Sequence, residues 1–264
     1  MPTFPLPVAL SIAGSDPSGG AGIQADLKTF HRFGVYGEAV LTLLTVQNTQ
    51  TVSRVELLDP ELVREQIRAV ITDIRPGAAK TGALGSAAII RAVAEALDDV
   101  PLVVDPVMIS KHGAPLMAAE AGEELRRVLF PRALLVTPNL HEAAALTGLT
   151  VETEAQMVAA GRRLLAMGPE AVLVKGGHLE GKASDVLVTA GSLDWFTSDR
   201  TRTAHTHGTG CTYSAAITAL LAAGAPLREA VAEAKRFIAA AIATNPGLGR
   251  GHGPVNHFAS SGER

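Results

Sequence analysis

Three stretches of this chain are apolar at every consecutive position and then stop abruptly at a polar residue. They are Leu102-Val103-Val104-Asp105-Pro106-Val107, Leu134-Leu135-Val136-Thr137-Pro138-Asn139 and Ala171-Val172-Leu173-Val174-Lys175-Gly176-Gly177. A strand that is apolar on both faces must be covered on both, which predicts an interior position in a parallel sheet packed between helices. Hydrophobic residues reach 47% while aromatics stay at 4%, so the core must be built from Ala, Val, Leu and Ile. The expected class is α/β with three layers, a central mostly parallel β-sheet flanked by helices. With no linker-like stretch in 264 residues, residues 1–264 are expected to form one domain. Ligands of such a sheet collect outside the carboxyl ends of its strands. Asp105, Asn139 and Lys175 fall there.

The first quarter of the chain repeats the pattern. Val8 to Ala13 reads as a strand, GSDPSGGAG as a glycine loop and Ile23 to Phe33 as a helix. The loop is not a P-loop, because Gly20-Ala21 stands where Lys and Ser or Thr are required. Gly20-Ala21-Gly22-Ile23-Gln24-Ala25 fits a dinucleotide turn, but the following strand ends in Gln47 with no acidic residue between it and Glu56 to hold a ribose. What remains is a close backbone approach to something small, with Asp16 and Asp26 nearby. Ala39 to Gln47 reads as another strand, and the Gln47 amide offers a donor and an acceptor to a heterocycle edge. A helix from Pro60 to Asp73 leads to Ala78-Ala79-Lys80-Thr81-Gly82. That KTG triplet matches penicillin-binding enzymes, yet no S-x-x-K accompanies it.

Further on, an alanine-rich helix is expected from Ser86 to Leu97. Asn139 and Glu142, three apart at a helix start, have the spacing of a capping box and also project an amide and a carboxylate together. Asp185 to Val188 and Asp194 to Thr197 are expected to pair as a hairpin across Ala190-Gly191. A last helix should run from Pro226 to about Asn245, before the glycine-rich tail Gly247 to Phe258.

Thr206 to Ala216, THGTGCTYSAA, reads as a glycine turn opening a helix. The first turn of a helix holds unpartnered N–H groups and positive dipole charge, so it can receive an anion. Cys211 sits in that field, which would lower its thiol below about 8.5 and favour a thiolate base. As the only cysteine it excludes an intramolecular disulfide and a Cys-rich zinc site, and it fits a reducing compartment. His205 and His207 lack a spaced ligand set for a metal. A net charge of −3 without basic clusters speaks against nucleic acid. The run Val8 to Ala13 is too short for a signal peptide core or a membrane span, so a cytoplasmic location is expected.

Seven ordered stretches carry a resemblance: Ala13 to Phe30, Val46 to Thr49, Val103 to Met108, Thr137 to Leu146, Val174 to His178, Thr206 to Ala216 and Gly251 to Phe258. Together the chain resembles the ribokinase-like superfamily, and within it the hydroxymethylpyrimidine and phosphomethylpyrimidine kinases of thiamine biosynthesis. The resemblance implies ATP as co-substrate, Mg²⁺, a pyrimidine alcohol and a homodimer. It implies that Gly208, Thr209, Gly210 and Cys211 receive the transferring phosphoryl group, Thr209 also lying against ATP. Lys175 and Asn139 fall at the nucleotide, while Asp105 and Glu142 would place Mg²⁺ through water. Gly14, Asp26, Gln47 and Val107 look like pyrimidine-site positions. Ala83, where relatives often carry methionine, implies a more open substrate wall. A pyridoxal or pyridoxine kinase is the nearest alternative, and a non-catalytic vitamin-binding protein on the same fold is the alternative outside catalysis.

Overall fold

The structure is a computed structural model that describes residues 6–97, 99–110, 113–118, 120–177 and 181–260. Its first half runs β1 (Val8–Ser15), α1 (Gly22–Arg32), β2 (Tyr36–Gln47), β3 (Val52–Leu57), α2 (Pro60–Ile71), β4 (Ala78–Thr81) and α3 (Ala87–Ala96). Then come β5 (Leu102–Val104), α4 (Ala121–Glu124), β6 (Leu135–Val136), α5 (Leu140–Thr147), α6 (Glu154–Leu165) and β7 (Ala171–Lys175). The chain closes with β8 (Ala183–Thr189), β9 (Leu193–Ser198), α7 (Thr209–Ala222) and α8 (Leu227–Ala243).

The strands form one sheet in the order β3-β2-β1-β4-β5-β6-β7-β8-β9. The six from β2 to β7 in that order are parallel, and β3, β8 and β9 add antiparallel edges. Alternating residues explain why the central strands are apolar throughout. Leu10, Ile12, Val104, Val136, Val172 and Val174 join the core beneath α2, α3, α5 and α6, with Ile67, Ile89, Leu146 and Leu164. Val103, Leu135 and Leu173 point the other way and meet Ile217 of α7 and Phe237 of α8. On that side Ala9 packs with Phe30 of α1 and Ala215. Each face buries its own half of a continuous apolar run.

Several boundaries differ from expectation for identifiable reasons. The strand expected over Leu102 to Val107 ends at Val104, and the one over Leu134 to Asn139 covers only Leu135–Val136. Pro106 and Pro138, lacking N–H groups, follow one residue later and cannot donate to the ladders. Edge strand β3, VSRVEL, is half exposed and carries no apolar run to announce it. Helix α6 has a complete Thr153/Gln156 capping box, a signal that the sequence also carries. After α4 the chain continues through a π-turn, Leu125–Leu129, and a 3₁₀ turn, Phe130–Arg132. The hairpin is present and longer on both arms, pairing Val186 with Trp195 and Leu187 with Asp194. His178, at the end of the VKGG run, lies outside the described residues.

Candidate active site

A cavity of about 790 Å³ opens along the carboxyl edge of the parallel strands. Its floor is the start of α7. Gly208 is the N-cap in the left-handed region at φ 77°, and Thr209 opens the helix. A Cβ at Gly208 would collide with the carbonyl oxygen of Gly20, so the two glycine loops touch backbone to backbone. Gly210 and Cys211 lie in the first turn, where N–H groups have no helical carbonyl to meet.

Charge converges on this turn. A Cβ on Gly210 would stand 3.5 Å from Lys175 Nζ and 3.7 Å from Asp105 Oδ2. Lys175, at the end of β7, donates to Asp105 Oδ1 at 3.0 Å, as does the Thr137 hydroxyl. Burial alone would lower the Lys175 ammonium, but Asp105 and Glu142 outweigh it and hold it above its usual range. Burial likewise works to raise Asp105, yet Lys175 and Lys80 keep its carboxyl below the usual range. Glu142 is different: burial raises it to about 7 despite Lys175, and Asp105 adds to the rise. Its Oε2 accepts the Asn139 N–H at 2.8 Å while Asn139 Oδ1 accepts the Glu142 N–H at 2.9 Å. The capping box is therefore real, and it is also what aims both side chains at the cavity.

At the other end, Gly14, Gln47, Val107 and Ala83 line the wall. Asp26, the remaining position of the expected pyrimidine set, does not join them. It is fully buried on α1, where it accepts from Lys80 Nζ at 2.7 Å and from the Ser11 hydroxyl at 2.6 Å. Burial raises Asp26 and would lower Lys80, but the mutual contact holds the Lys80 ammonium protonated above its usual range. Lys80 belongs to the KTG triplet that sequence reading set aside. Its signal was a lone cation inside the buried strand AAKT. Replacing one member of such a pair strands the other charge. Lys80→Met is expected to lower unfolding stability by about 3–5 kcal/mol, read from the denaturant midpoint; an unchanged midpoint would contradict the pairing.

The thiol needs a correction. The helix terminus was expected to depress Cys211; instead burial pushes it up to about 12. Lys80 and the Gly22 N–H pull it down, but Asp26 and Asp105 add to the rise. Desolvation outweighs the helix field, and the resting thiol is protonated at neutral pH.

His207, weighed from sequence only as half of an H-x-H pair, is buried and bonded to Asp16. Among the described residues no group of three His, Cys, Asp or Glu side chains converges to hold a metal by itself. Asp105 and Glu142 nevertheless offer hard oxygen donors beside Lys175, a set that fits a hydrated magnesium completed by phosphate and water.

Solved structures similar to this chain include kinases. The ADP complex of Bacillus subtilis pyridoxal kinase superposes with a TM-score of 0.89 at 39% identity, covering 97% of this chain and 98% of that one. A phosphomethylpyrimidine kinase structure from Clostridium difficile matches with a TM-score of 0.78 at 45% identity, over 88% and 97% of the two chains. The fold is thus the ribokinase-like kinase fold, and the chain is a kinase. The family model of phosphomethylpyrimidine kinase matches residues 16–256, and the chain belongs to that family. A Staphylococcus aureus hydroxymethylpyrimidine/phosphomethylpyrimidine kinase is 46% identical over 258 residues, 96% of this chain and 94% of the relative.

Proposed function

We infer that the protein uses ATP to phosphorylate 4-amino-5-hydroxymethyl-2-methylpyrimidine and then its monophosphate, yielding the diphosphate for thiamine biosynthesis. The observation that carries the site reading is one cavity with an anion-receiving helix start at its floor, flanked by Lys175 and Asp105 on one side and Gln47 on the other.

The roles follow from charge and placement. Phosphoryl transfer passes through a loose transition state, so catalysis rests on positioning and on stabilising charge. The amides of Gly208 to Cys211 receive the moving phosphoryl group. The Lys175 ammonium meets the nucleotide phosphates, with Asn139 and Thr209 alongside. Asp105 and Glu142 hold Mg²⁺ through its waters; when bound, the ion offsets phosphate charge. Burial raises the Glu142 carboxyl to about 7, and a cation beside it would favour its ionised form. Gly14, Gln47 and Val107 form the pyrimidine wall. Asp26 pairs with Lys80 and Ser11 in the core and does not line that wall. The protein works as one kinase domain, as a homodimer, in the cytoplasm.

Pyridoxal is the rival substrate, favoured by the similarity to the pyridoxal kinase structure and by the small Ala83 in the wall. Incubation with Mg·ATP and each alcohol, with products resolved by mass, separates the two. Turnover of the pyrimidine is expected to exceed that of pyridoxal; turnover of pyridoxal alone would overturn the assignment.

A further inference from the structure

The Gln47 carboxamide is flanked by two groups that between them dictate which way round it sits. His207 Nε2 lies 2.7 Å from Asp16 Oδ2 and 3.1 Å from one end of the carboxamide. The other end lies 3.3 Å from Thr45 Oγ1. All four side chains line the cavity.

Asp16 is ionised. Its carboxylate accepts the N–H groups of Ser18 and Ala21 and the Ser18 hydroxyl, each within 2.7–2.9 Å. Burial works against the charge, but the bonds from His207 and Ser18 outweigh it and hold Asp16 below its usual range. An ionised carboxylate only accepts, so His207 Nε2 must carry a proton. A protonated ring nitrogen has no lone pair for an amide N–H. The carboxamide end facing it therefore has to be the oxygen. A neutral Nε2–H imidazole and an imidazolium impose the same choice.

Thr45 imposes it independently. Its hydroxyl donates its single hydrogen to the Ser15 carbonyl at 2.9 Å. Towards Gln47 it can then only accept, which requires the amide NH₂ on that side. With nitrogen drawn towards His207 and oxygen towards Thr45, both contacts would lack a matching partner. Reversing the amide gives Thr45 its donor and sets the carboxamide oxygen against the Nε2–H, where it takes the weaker, 3.1 Å arm of a hydrogen shared with Asp16; nitrogen and oxygen have the same outline.

We propose that His207 is a positioning residue that, with Asp16 and Thr45, locks the Gln47 carboxamide with its oxygen beside the imidazole and its NH₂ beside Thr45. The lock fixes the order of acceptor and donor that the wall offers a heterocycle. An acceptor followed by a donor complements an exocyclic amino group next to a ring nitrogen, the edge of an aminopyrimidine. A pyridine ring carrying an oxygen substituent in place of that amino group lacks the pair. This specificity rests on the kinase reading above, whereas the orientation itself does not.

Two measurements test the proposal separately. In ¹⁵N-labelled protein without ligand, His207 Nε2 is expected at a protonated, pyrrole-type shift, with no hydrogen-bond coupling to the Gln47 side-chain nitrogen. A pyridine-type Nε2, or a coupling between the two nitrogens, would overturn the orientation whatever the substrate is. Thr45→Val keeps the side-chain shape and removes the acceptor. It is expected to raise KM for the pyrimidine alcohol about two- to tenfold, the range of one net hydrogen bond, with KM for ATP unchanged. In a Gln47→Ala background the same substitution should have no further effect. Equal effects in both backgrounds would show that Thr45 does not act through Gln47 and would overturn the specificity claim, while the shift measurement would still decide the orientation.

Discussion

Gly208→Ala is expected to lower turnover of both the pyrimidine alcohol and its monophosphate by at least about 10²-fold, the scale of losing one preorganised amide at a developing anion. The reason is steric and local. Gly208 holds φ 77°, a conformation that costs an L-residue about 1–2 kcal/mol, and an added methyl would strike the Gly20 carbonyl. The turn must shift, and with it the N–H groups of Gly210 and Cys211 that open α7. If both transfers rely on these amides, as proposed, both should fail together while the far-UV spectrum stays that of an α/β protein. Loss of one reaction with retention of the other would mean that the two phosphoryl groups land on different donors.

Cys211→Ala should behave in the opposite way, separating the two reactions. The alcohol must release a proton, but a phosphate monoester, with a second pKa of about 6, is already largely ionised at pH 7. Alanine is expected to slow the alcohol reaction at least about tenfold, short of the full 10²–10⁴-fold of a base ionised at the working pH, and to leave the monophosphate reaction close to its original rate. Because burial pushes the thiol up to about 12, the ionised form is scarce at neutral pH. The active fraction grows as pH rises towards that value. The alcohol reaction should therefore climb about tenfold per unit between pH 7 and 9, with no plateau, while the monophosphate reaction stays flat. Equal losses in the two reactions would remove the thiol from the proton path, whereas a plateau near pH 8 would mean that the thiol ionises far more readily than its burial dictates.

The contrast between these two residues shows where the sequence was readable. The turn at Gly208 follows from a glycine pair before an apolar helical run, a local pattern, and the structure places it at the cavity floor. Asp105, Asn139 and Lys175 were legible for the same reason, since each closes an apolar strand or opens the helix after it. Electrostatics were not legible. The Cys211 thiol feels Lys80, Asp26 and Asp105, which arrive from three distant segments, and the burial that they share reverses the sign expected from the helix alone. The resemblance put Asp26 among the pyrimidine-site positions, but its partner Lys80, 54 positions away, holds it in the core. His207 gave no sign of its link to Asp16, 191 positions earlier. Patterns of period two and 3.6 reveal which face a residue occupies, not which charge waits opposite it.

If one cavity carries out both phosphorylations, a time course with the protein, Mg·ATP and 4-amino-5-hydroxymethyl-2-methylpyrimidine, resolving alcohol, monophosphate and diphosphate, should show it directly. The monophosphate is expected to rise and then fall as diphosphate accumulates. A reaction that halts at the monophosphate with ATP still in excess would contradict it.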